Sequence, residues 1–149
     1  MEHKSILYKQ LASAIQARKN CEQAGNTEWH AKHSETIVQL VADFMPSGSG
    51  WDEGTKIDVD ASHADKFVFY GAFHHMNDGG FYDGWTTHVV TVTPSLLNDF
   101  NIRISGRDRN DIKEYLHEMF STCLQEVIVW SADKSRWISE RYAQTGGEA

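Results

Sequence analysis

The sequence lacks most of the features that place a protein in a class directly. Its 149 residues include only two cysteines and two prolines. Two isolated cysteines are too few for a disulfide scaffold and favour a reducing compartment. No apolar run is long enough to cross a bilayer, and the first segment, MEHKSILYKQ, contains no apolar signal core. The sequence therefore predicts a cytoplasmic protein, without secretion or membrane insertion.

Basic residues are also scarce. The chain has 14 Lys and Arg against 21 Asp and Glu, a net charge of −7. The acid excess is concentrated in residues 45–102, which hold two basic and eight acidic side chains. A protein that wraps nucleic acid non-specifically normally presents a basic face. The balance argues against that class, although Arg103, Arg107, Arg109 and Lys113 form a local basic cluster.

The length of the chain predicts a single domain, residues 1–149. Its composition is that of an ordinary globular protein, with 40% hydrophobic and 23% charged residues. Apolar residues recur at helical spacing through residues 1–44, and Gly25-Asn26-Thr27 interrupts them, which predicts an antiparallel helical hairpin. Residues 45–66 contain the run PSGSG and predict a long surface linker, with at most a short strand at Thr55–Val59.

Residues 67–105 predict an antiparallel sheet of three strands, at Phe67–His75, Trp85–Thr93 and Asp99–Ser105. Pairing of Met76 with Asp83 would fix the register and hence the faces. One face, covered by helices, would carry Phe67, Phe69, Gly71, Phe73, Thr86, His88, Val90 and Val92. The other, open face would carry Val68, Tyr70, Ala72, His74, Trp85, Thr87, Val89, Thr91 and Arg103.

The last part of the chain, residues 108–144, predicts one C-terminal helix or two. Apolar residues at three- and four-residue spacing run from Ile112 to Ile128 and resume at Trp137. Asp108 lies where its carboxylate would cap the helix start. The predicted order is α-α-β-β-β-α, an α+β fold with helices on one face of the sheet.

The densest group of reactive side chains lies in residues 73–88, FHHMNDGGFYDGWTTH. Adjacent residues of a strand point to opposite faces, so His74 and His75 cannot ligate one ion without a bulge. We expect neither a metal nor a cofactor, and no catalytic residue. One alternative stays open, a metal-dependent hydrolase that uses His74, Asp83 and His88. The predicted register instead gives His88 the role of a buried, hydrogen-bonded imidazole beside the small Gly71.

Aromatic rings give the same segment a second possible use. Tyr70, Tyr82 and Trp85 are amphipathic, and such rings anchor protein partners or stack on bases. Alternatively, they only pack the hairpin against the linker, in particular against Trp51. The predicted partner- or ligand-binding residues are Tyr70, His74, His75, Asn77, Tyr82, Asp83, Trp85, Thr87 and Arg103.

The segment SGRDRND, residues 105–111, ends a strand and opens a helix. Backbone N–H groups at a helix start attract anions, and guanidinium groups add donors for phosphate or carboxylate. The candidate anion-binding residues are Arg107, Arg109, Asn110 and Lys113. The alternative is a tight turn at Gly106 in which Arg107 and Asp108, and likewise Arg109 and Asp111, neutralise each other.

A resemblance to a known family rests on four sequence segments, in this order: GNTEWHAKH, MPSGSGWD, FHHMNDGGFYDGWTTH and ISGRDRNDIKEYLHEMF. They resemble a family of small proteins of unestablished function that tailed bacteriophages and prophages encode, over roughly residues 7–125. The resemblance implies a phage gene product that acts in the cytoplasm of a bacterial host. It brings no catalytic residue with it.

The order helix, three antiparallel strands, helix is also similar to that of the double-stranded RNA-binding domain. In that comparison SGRDRNDIK occupies the phosphate-contacting helix start. The chain departs from the pattern, because Asp108 and Asp111 stand where that family carries a lysine cluster.

These observations predict a non-enzymatic binding protein made by a phage. It would engage a host protein or a small nucleotide-type ligand through the open sheet face and the 74–88 hairpin tip, for host takeover or to counter a host defence. A homodimer through the open face is a further possibility. The alternative function is nucleic-acid binding, with phosphate contacts from Arg103, Arg107, Arg109 and Lys113.

Overall fold

The computed structural model describes residues 4–48, 51, 54–76, 79–95 and 100–144. The predicted site residue Asn77 lies outside the described residues. The helices are α1 (Leu7–Ala24), α2 (Thr27–Phe44), α3 (Asn110–Leu124) and α4 (Glu140–Gln144). The strands are β1 (Lys4–Ile6), β2 (Lys56–Ile57), β3 (Phe67–Met76), β4 (Tyr82–Pro94), β5 (Phe100–Ile104), β6 (Val127–Ser131) and β7 (Arg136–Ser139). The fold is α+β, with two antiparallel sheets.

The helical hairpin of α1 and α2 is confirmed. Gly25 ends α1 in the left-handed conformation, with φ of 71°, and the Asn26 side chain accepts a hydrogen bond from the Trp29 backbone N–H at 3.1 Å. The buried residues of the two helices follow the predicted apolar stripe: Leu7, Leu11, Ala14, Ile15, Ile37, Leu40 and Val41. Trp29, which helical spacing places on the same side of α2 as Ile37 and Leu40, is nevertheless 49% exposed. The stripe predicted the buried side of α2 but not how far the core reaches along it.

The register of β3 and β4 is as predicted up to His74. Phe69 lies opposite Val90, and His74 lies opposite Trp85. The predicted pair of Met76 with Asp83 is wrong, because an extra residue on β4 shifts Met76 opposite Tyr82. This bulge lies at the hairpin tip, so the faces below it are unchanged.

The sheet has four strands, in the order β2-β3-β4-β5, where three were predicted. The added strand β2 lies within the short strand proposed at Thr55–Val59. The segment around it is not a surface linker throughout, because Trp51 is only 1% exposed. Its indole donates to the Thr55 hydroxyl at 2.9 Å, and its ring lies over Gly71, where a Cβ would overlap it. The chain therefore returns to the core between α2 and β3.

The prediction of one helix or two over residues 108–144 is confirmed for α3 and for the short α4, but it is wrong between them. The segments β6 and β7 form a hairpin, and β1 pairs with β6 to give a second sheet in the order β1-β6-β7. Leu124 and Ile128 are both fully buried, one at the end of α3 and the other in β6. Their four-residue spacing continues the helical pattern across the turn, which is why periodicity alone missed the change of structure.

The core lies between the covered face of the four-stranded sheet and helices α1, α2 and α3. Phe69, Val90, Phe120 and Leu116 are fully buried there. In the described ranges, no helix is long and apolar enough to span a membrane.

Candidate functional site

The face of the four-stranded sheet opposite the helices is here called the open face. Its strand positions include Lys56, Val68, Tyr70, Ala72, His74, Trp85, Thr87, Val89, Thr91, Thr93, Asn101 and Arg103. Trp85 is 63% exposed, Val89 40% and Tyr70 39%. The alternative in which these rings pack against Trp51 is therefore wrong, since Trp51 lies on the covered face. The predicted division of the two faces is confirmed.

The hairpin tip extends this aromatic surface. Phe81 is 73% exposed and Tyr82 54%, and neither packs into the core. The Tyr82 hydroxyl hydrogen-bonds Nδ1 of His74 at 2.7 Å, and the His74 ring lies 6.3 Å from that of Trp85. His74 therefore connects the tip to the open face. Asp83 is exposed at the tip.

The charge of the open face contrasts with that of the chain. Its strand positions include Lys56 and Arg103, both exposed, while the carboxylate of Asp83 is exposed at the adjoining end of β4. The whole chain has a net charge of −7. The acidic side chains are thus distributed away from the centre of this face.

A second group of side chains lies on the covered side of the same hairpin. It consists of His75, His88 and Asp108 and is here called the His–Asp–His cluster. The Asp108 Oδ2 atom lies 3.0 Å from Nε2 of His88 and 3.3 Å from Nε2 of His75. The His88 side chain is fully buried and that of Asp108 is 4% exposed, whereas that of His75 is 24% exposed. Two strands and the start of α3 meet in this cluster.

Close packing holds His88 in place. Its Nδ1 atom lies 2.5 Å from the Ser105 carbonyl oxygen, and its ring stacks on Trp51 with centroids 6.4 Å apart. Gly106, with φ of 104°, leaves room for the imidazole, because a Cβ there would approach Nδ1 to 2.7 Å. The prediction of a buried, hydrogen-bonded His88 is confirmed.

The electrostatics of the cluster favour an ionised Asp108. Burial acts to raise the pKa of this carboxyl, but hydrogen bonds from His88 and from the Arg109 backbone N–H, together with the nearby His75, hold it below its ordinary value. The structure therefore places a buried carboxylate between two imidazoles.

The cluster does not have the geometry of a catalytic triad. The Thr86 hydroxyl lies 3.0 Å from Nε2 of His75, the same nitrogen that faces Asp108. A triad histidine uses one nitrogen for the nucleophile and the other for the carboxylate. Within the described part of the chain, no group of three His, Cys, Asp or Glu side chains is placed to hold a metal ion.

The structure does not bring together the residues of the hydrolase alternative. His74 lies on the open face and His88 is buried on the covered face, with the sheet between them. Asp83 is exposed at the tip. His74 and His75 point to opposite sides of β3, as predicted.

The candidate anion site is partly neutralised. The Arg109 guanidinium pairs with Asp111 at 3.1 Å, as the alternative proposed, while Asp108 pairs with the histidines and does not cap α3. Arg107 and Asn110 are exposed, and Lys113 is half-buried. The sequence missed the partners of Asp108, because no local spacing connects residue 108 to residues 75 and 88.

A groove of about 770 Å³ lies between the helical hairpin and β6–β7. Trp29, Trp130 and Trp137 line it, and the last two rings meet edge to face at 5.8 Å. The sequence missed this surface because residues 127–139 were predicted as helix. It provides exposed tryptophans that are separate from the open face.

No family model, curated protein or solved structure matches the chain.

Proposed function

We propose that the chain is a phage-encoded, non-enzymatic binding protein of the bacterial cytoplasm, and that its open face and hairpin tip bind an acidic surface of a host protein. The observation that carries the proposal is the exposure of Trp85, Tyr82 and Phe81 at one end of the sheet. Host takeover or inhibition of a host defence fits the phage context.

Large exposed rings are the first support for a protein partner. Tryptophan and tyrosine are enriched among the residues that carry most of the binding energy in protein interfaces. A monomer gains nothing in its own stability from a ring that stays in water, and contiguous apolar patches mark interaction sites. The hydrogen bond between His74 and Tyr82 orders this end of the face before a partner arrives, which reduces the entropy lost on binding.

Charge supports an acidic partner. Arg103 and Lys56 lie on the open face among hydroxyl and aromatic side chains, and the adjoining tip carries the carboxylate of Asp83. A partner with a negative surface would be attracted to this face and repelled by much of the remaining surface, since the chain carries −7 overall. Such complementarity sets orientation and the association rate more than affinity.

The test is capture of partners from a bacterial lysate by three forms of the full chain: wild type, Trp85→Ala/Tyr82→Ala, and Trp130→Ala. The last is the matched control, because Trp130 is also an exposed tryptophan but lies in the other groove. We expect one protein to be retained by wild type and Trp130→Ala and lost from the double variant, with affinity for that purified protein reduced by at least about tenfold, as truncation of interface aromatics does. Equal recovery by all three forms would show that the open face is not the binding surface.

Nucleic-acid binding is the second candidate, because aromatic and cationic side chains share the open face. Single-stranded nucleic acid is bound by rings that stack on bases and by cations that contact phosphates. In that case affinity falls steeply with salt, and Arg103→Ala lowers the slope of log K against log salt by about one unit. The absence of any shift of single- or double-stranded RNA or DNA at low salt would eliminate this candidate.

A further inference from the structure

The four-stranded sheet ends on one side at β5. Its strand order is β2-β3-β4-β5, and in the described residues no strand pairs with the outer edge of β5. The opposite edge of the sheet is β2, which has only two residues. The strand β5 has five residues, FNIRI, and contains no proline that would prevent pairing. It is therefore the longer of the two edges and the one to which a further strand can be added.

The register of β5 determines which of its backbone groups point outward. The Ser105 N–H donates to the Val89 carbonyl oxygen at 3.0 Å, which continues the antiparallel register of β4 with β5. In such a pair, residues whose backbone groups face the neighbouring strand alternate with residues whose groups face away from it. Counted back from Ser105, the N–H and C=O groups of Ile102 and Ile104 point to the outer edge.

A groove lies between this edge and α3. Its volume is about 530 Å³, and its lining residues are Ile102, Ile104, Lys113, Glu114, His117 and Glu118. The two isoleucine side chains pack against the core but are only half-buried. An apolar side chain placed beside them in the groove would extend the core and remove more of their surface from water.

The open-face side of the same edge is basic. A second groove, of about 880 Å³, is lined by Lys66 and Arg103 together with threonine hydroxyls of β4. Ile102 and His117 line both grooves, so the two grooves meet at the edge of β5. The outward backbone groups of β5 thus lie between an apolar surface and a basic one.

We propose that the outer edge of β5 binds an extended segment of a partner protein as a fifth strand of the sheet, and that apolar and acidic residues alternate in this segment. A strand beside β5 places alternate side chains on the two faces of the sheet. One set lies against Ile102 and Ile104, and the other set lies beside Arg103. Backbone hydrogen bonds supply affinity in this mode of recognition, and the alternate side chains supply specificity.

Charge determines which residues alternate. Opposite charges on neighbouring strands attract each other, so Arg103 and Lys66 favour carboxylates on the open-face side. On the groove side, Lys113 lies among Glu114 and Glu118, so neither sign of charge is favoured there. The exposed parts of the isoleucine side chains therefore decide the preference on that side, which is for an apolar residue.

A second copy of the chain is a less suitable occupant of this edge. Two copies of β5 paired antiparallel about a two-fold axis would bring both Arg103 side chains to the same face of one continuous sheet. Like charges on paired strands are unfavourable. The edge therefore favours a partner of different sequence. This proposal does not depend on the function proposed above, which uses the aromatic tip.

The test is an NMR titration of the full chain with a peptide of about nine residues, a common strand length, in which valine and glutamate alternate. We expect the amide protons of Ile102 and Ile104 to shift downfield and to exchange more slowly, because each N–H then donates a hydrogen bond. A peptide in which valine and lysine alternate is the charge control and should bind at least about fivefold more weakly.

Two N-methylated forms of the valine–glutamate peptide test the backbone contacts. One form is methylated at the valines and the other at the glutamates. Because only alternate N–H groups of a bound strand face β5, one form should bind at least about tenfold more weakly than the parent peptide, and the other should keep its affinity. The form that loses affinity also shows whether the peptide runs parallel or antiparallel to β5.

Ile102→Pro tests the same contacts from the side of the protein. It removes an N–H that points outward, so the bonds of β5 to β4 are retained. Ile102→Ala is the matched control, because it also shortens the side chain but keeps the N–H. We expect the peptide to bind Ile102→Pro at least about tenfold more weakly than Ile102→Ala. If Ile102→Pro does not fold, the two methylated peptides still give the answer with wild type.

Four results would overturn the proposal. The first is the absence of amide shifts at Ile102 and Ile104 at peptide concentrations up to about 1 mM, the weak limit of specific binding. The second is equal affinity of the two methylated forms, and the third is equal affinity of the glutamate and lysine peptides. The fourth is a dimer of the free protein that Ile102→Pro dissociates and Ile102→Ala does not, which would show that a second copy occupies the edge.

Discussion

Asp108 shows how a residue can serve a purpose that its position in the sequence does not suggest. An aspartate at the start of a helix predicts a cap, yet this carboxylate accepts from His88 at 3.0 Å and leaves α3 without a side-chain cap. Capping and the cluster compete for this carboxylate, whose Oδ1 accepts from the Arg109 backbone N–H and whose Oδ2 faces both imidazoles. The carboxylate binds the buried imidazole, because leaving a buried polar group without a partner costs more free energy than leaving an exposed helix end to be hydrated by water.

The lowered pKa of Asp108 predicts how stability depends on acid. Its folded value lies below the ordinary 3.8, so its contribution is present above that value and is lost as pH falls through the folded value. At neutral pH, Asp108→Asn should lower the free energy of unfolding by about 1–3 kcal/mol, since it removes the charge that accepts from a buried histidine. Urea denaturation measured from neutral pH down to about pH 3 checks this.

The contradictory result would be an equal stability of wild type and Asp108→Asn at neutral pH. Asp111→Asn is the matched control, because Asp111 is an exposed partner of Arg109 two residues along the same helix start. Exposed pairs contribute little, so this variant should differ from wild type by less than about 1 kcal/mol.

Cys123 is expected to be unreactive. Burial raises the pKa of its thiol to about 11, and the nearby Glu126 carboxylate adds to the effect. Because the thiolate is the nucleophile, alkylation by iodoacetamide at neutral pH should be slow at Cys123 until the protein unfolds. Mass spectrometry of the labelled protein with and without urea checks this, with Cys123→Ser to assign the site. Rapid labelling of Cys123 in the native protein would contradict the burial of this helix face.

At the scale of elements, the sequence predicted what is local and periodic. The alternation in Phe67–His75 and in Trp85–Thr93 was sufficient to assign the faces of the sheet, because the side-chain period of a strand leaves only two choices. Gly25 and Asn26 marked the turn between α1 and α2 by their own backbone and capping chemistry. Such signals require no knowledge of distant residues.

The elements that were missed depend on distant partners. The hairpin of β6 and β7 is stabilised by β1, whose residues precede α1. The local sequence contains no signal that predicts this pairing. Val127–Ser131 continues a helical apolar stripe in sequence but pairs as a strand in the structure. Tertiary contacts therefore overrode local periodicity at this point.

The candidate site divides in the same way. The strand register alone predicted that Tyr70, Trp85 and Arg103 lie on the open face, because the pairing of neighbouring strands fixes which side chains share a face. The His–Asp–His cluster required the position of the turn before α3 relative to the sheet, about 20 residues along the chain from His88. Three segments had to be placed in space before their shared chemistry became visible.

At the scale of the whole molecule, the open face raises the question of self-association. In a dimer with two-fold symmetry the same patch meets itself, so Arg103 and Lys56 of one copy would lie near those of the other. Like charges brought together across an interface are unfavourable. Aromatic exposure alone favours a dimer, whereas the charge pattern favours a different, acidic partner.

We therefore expect a monomer of 16.9 kDa by light scattering at physiological salt, with wild type and Val89→Lys giving the same mass. Val89 is 40% exposed at the centre of the open face, so a lysine there would disrupt a symmetric contact without entering the core. A dimer in wild type that dissociates in Val89→Lys would show that a second copy covers the open face. The aromatic tip would then belong to a self-interface, and the host-protein proposal would lose the surface on which it depends.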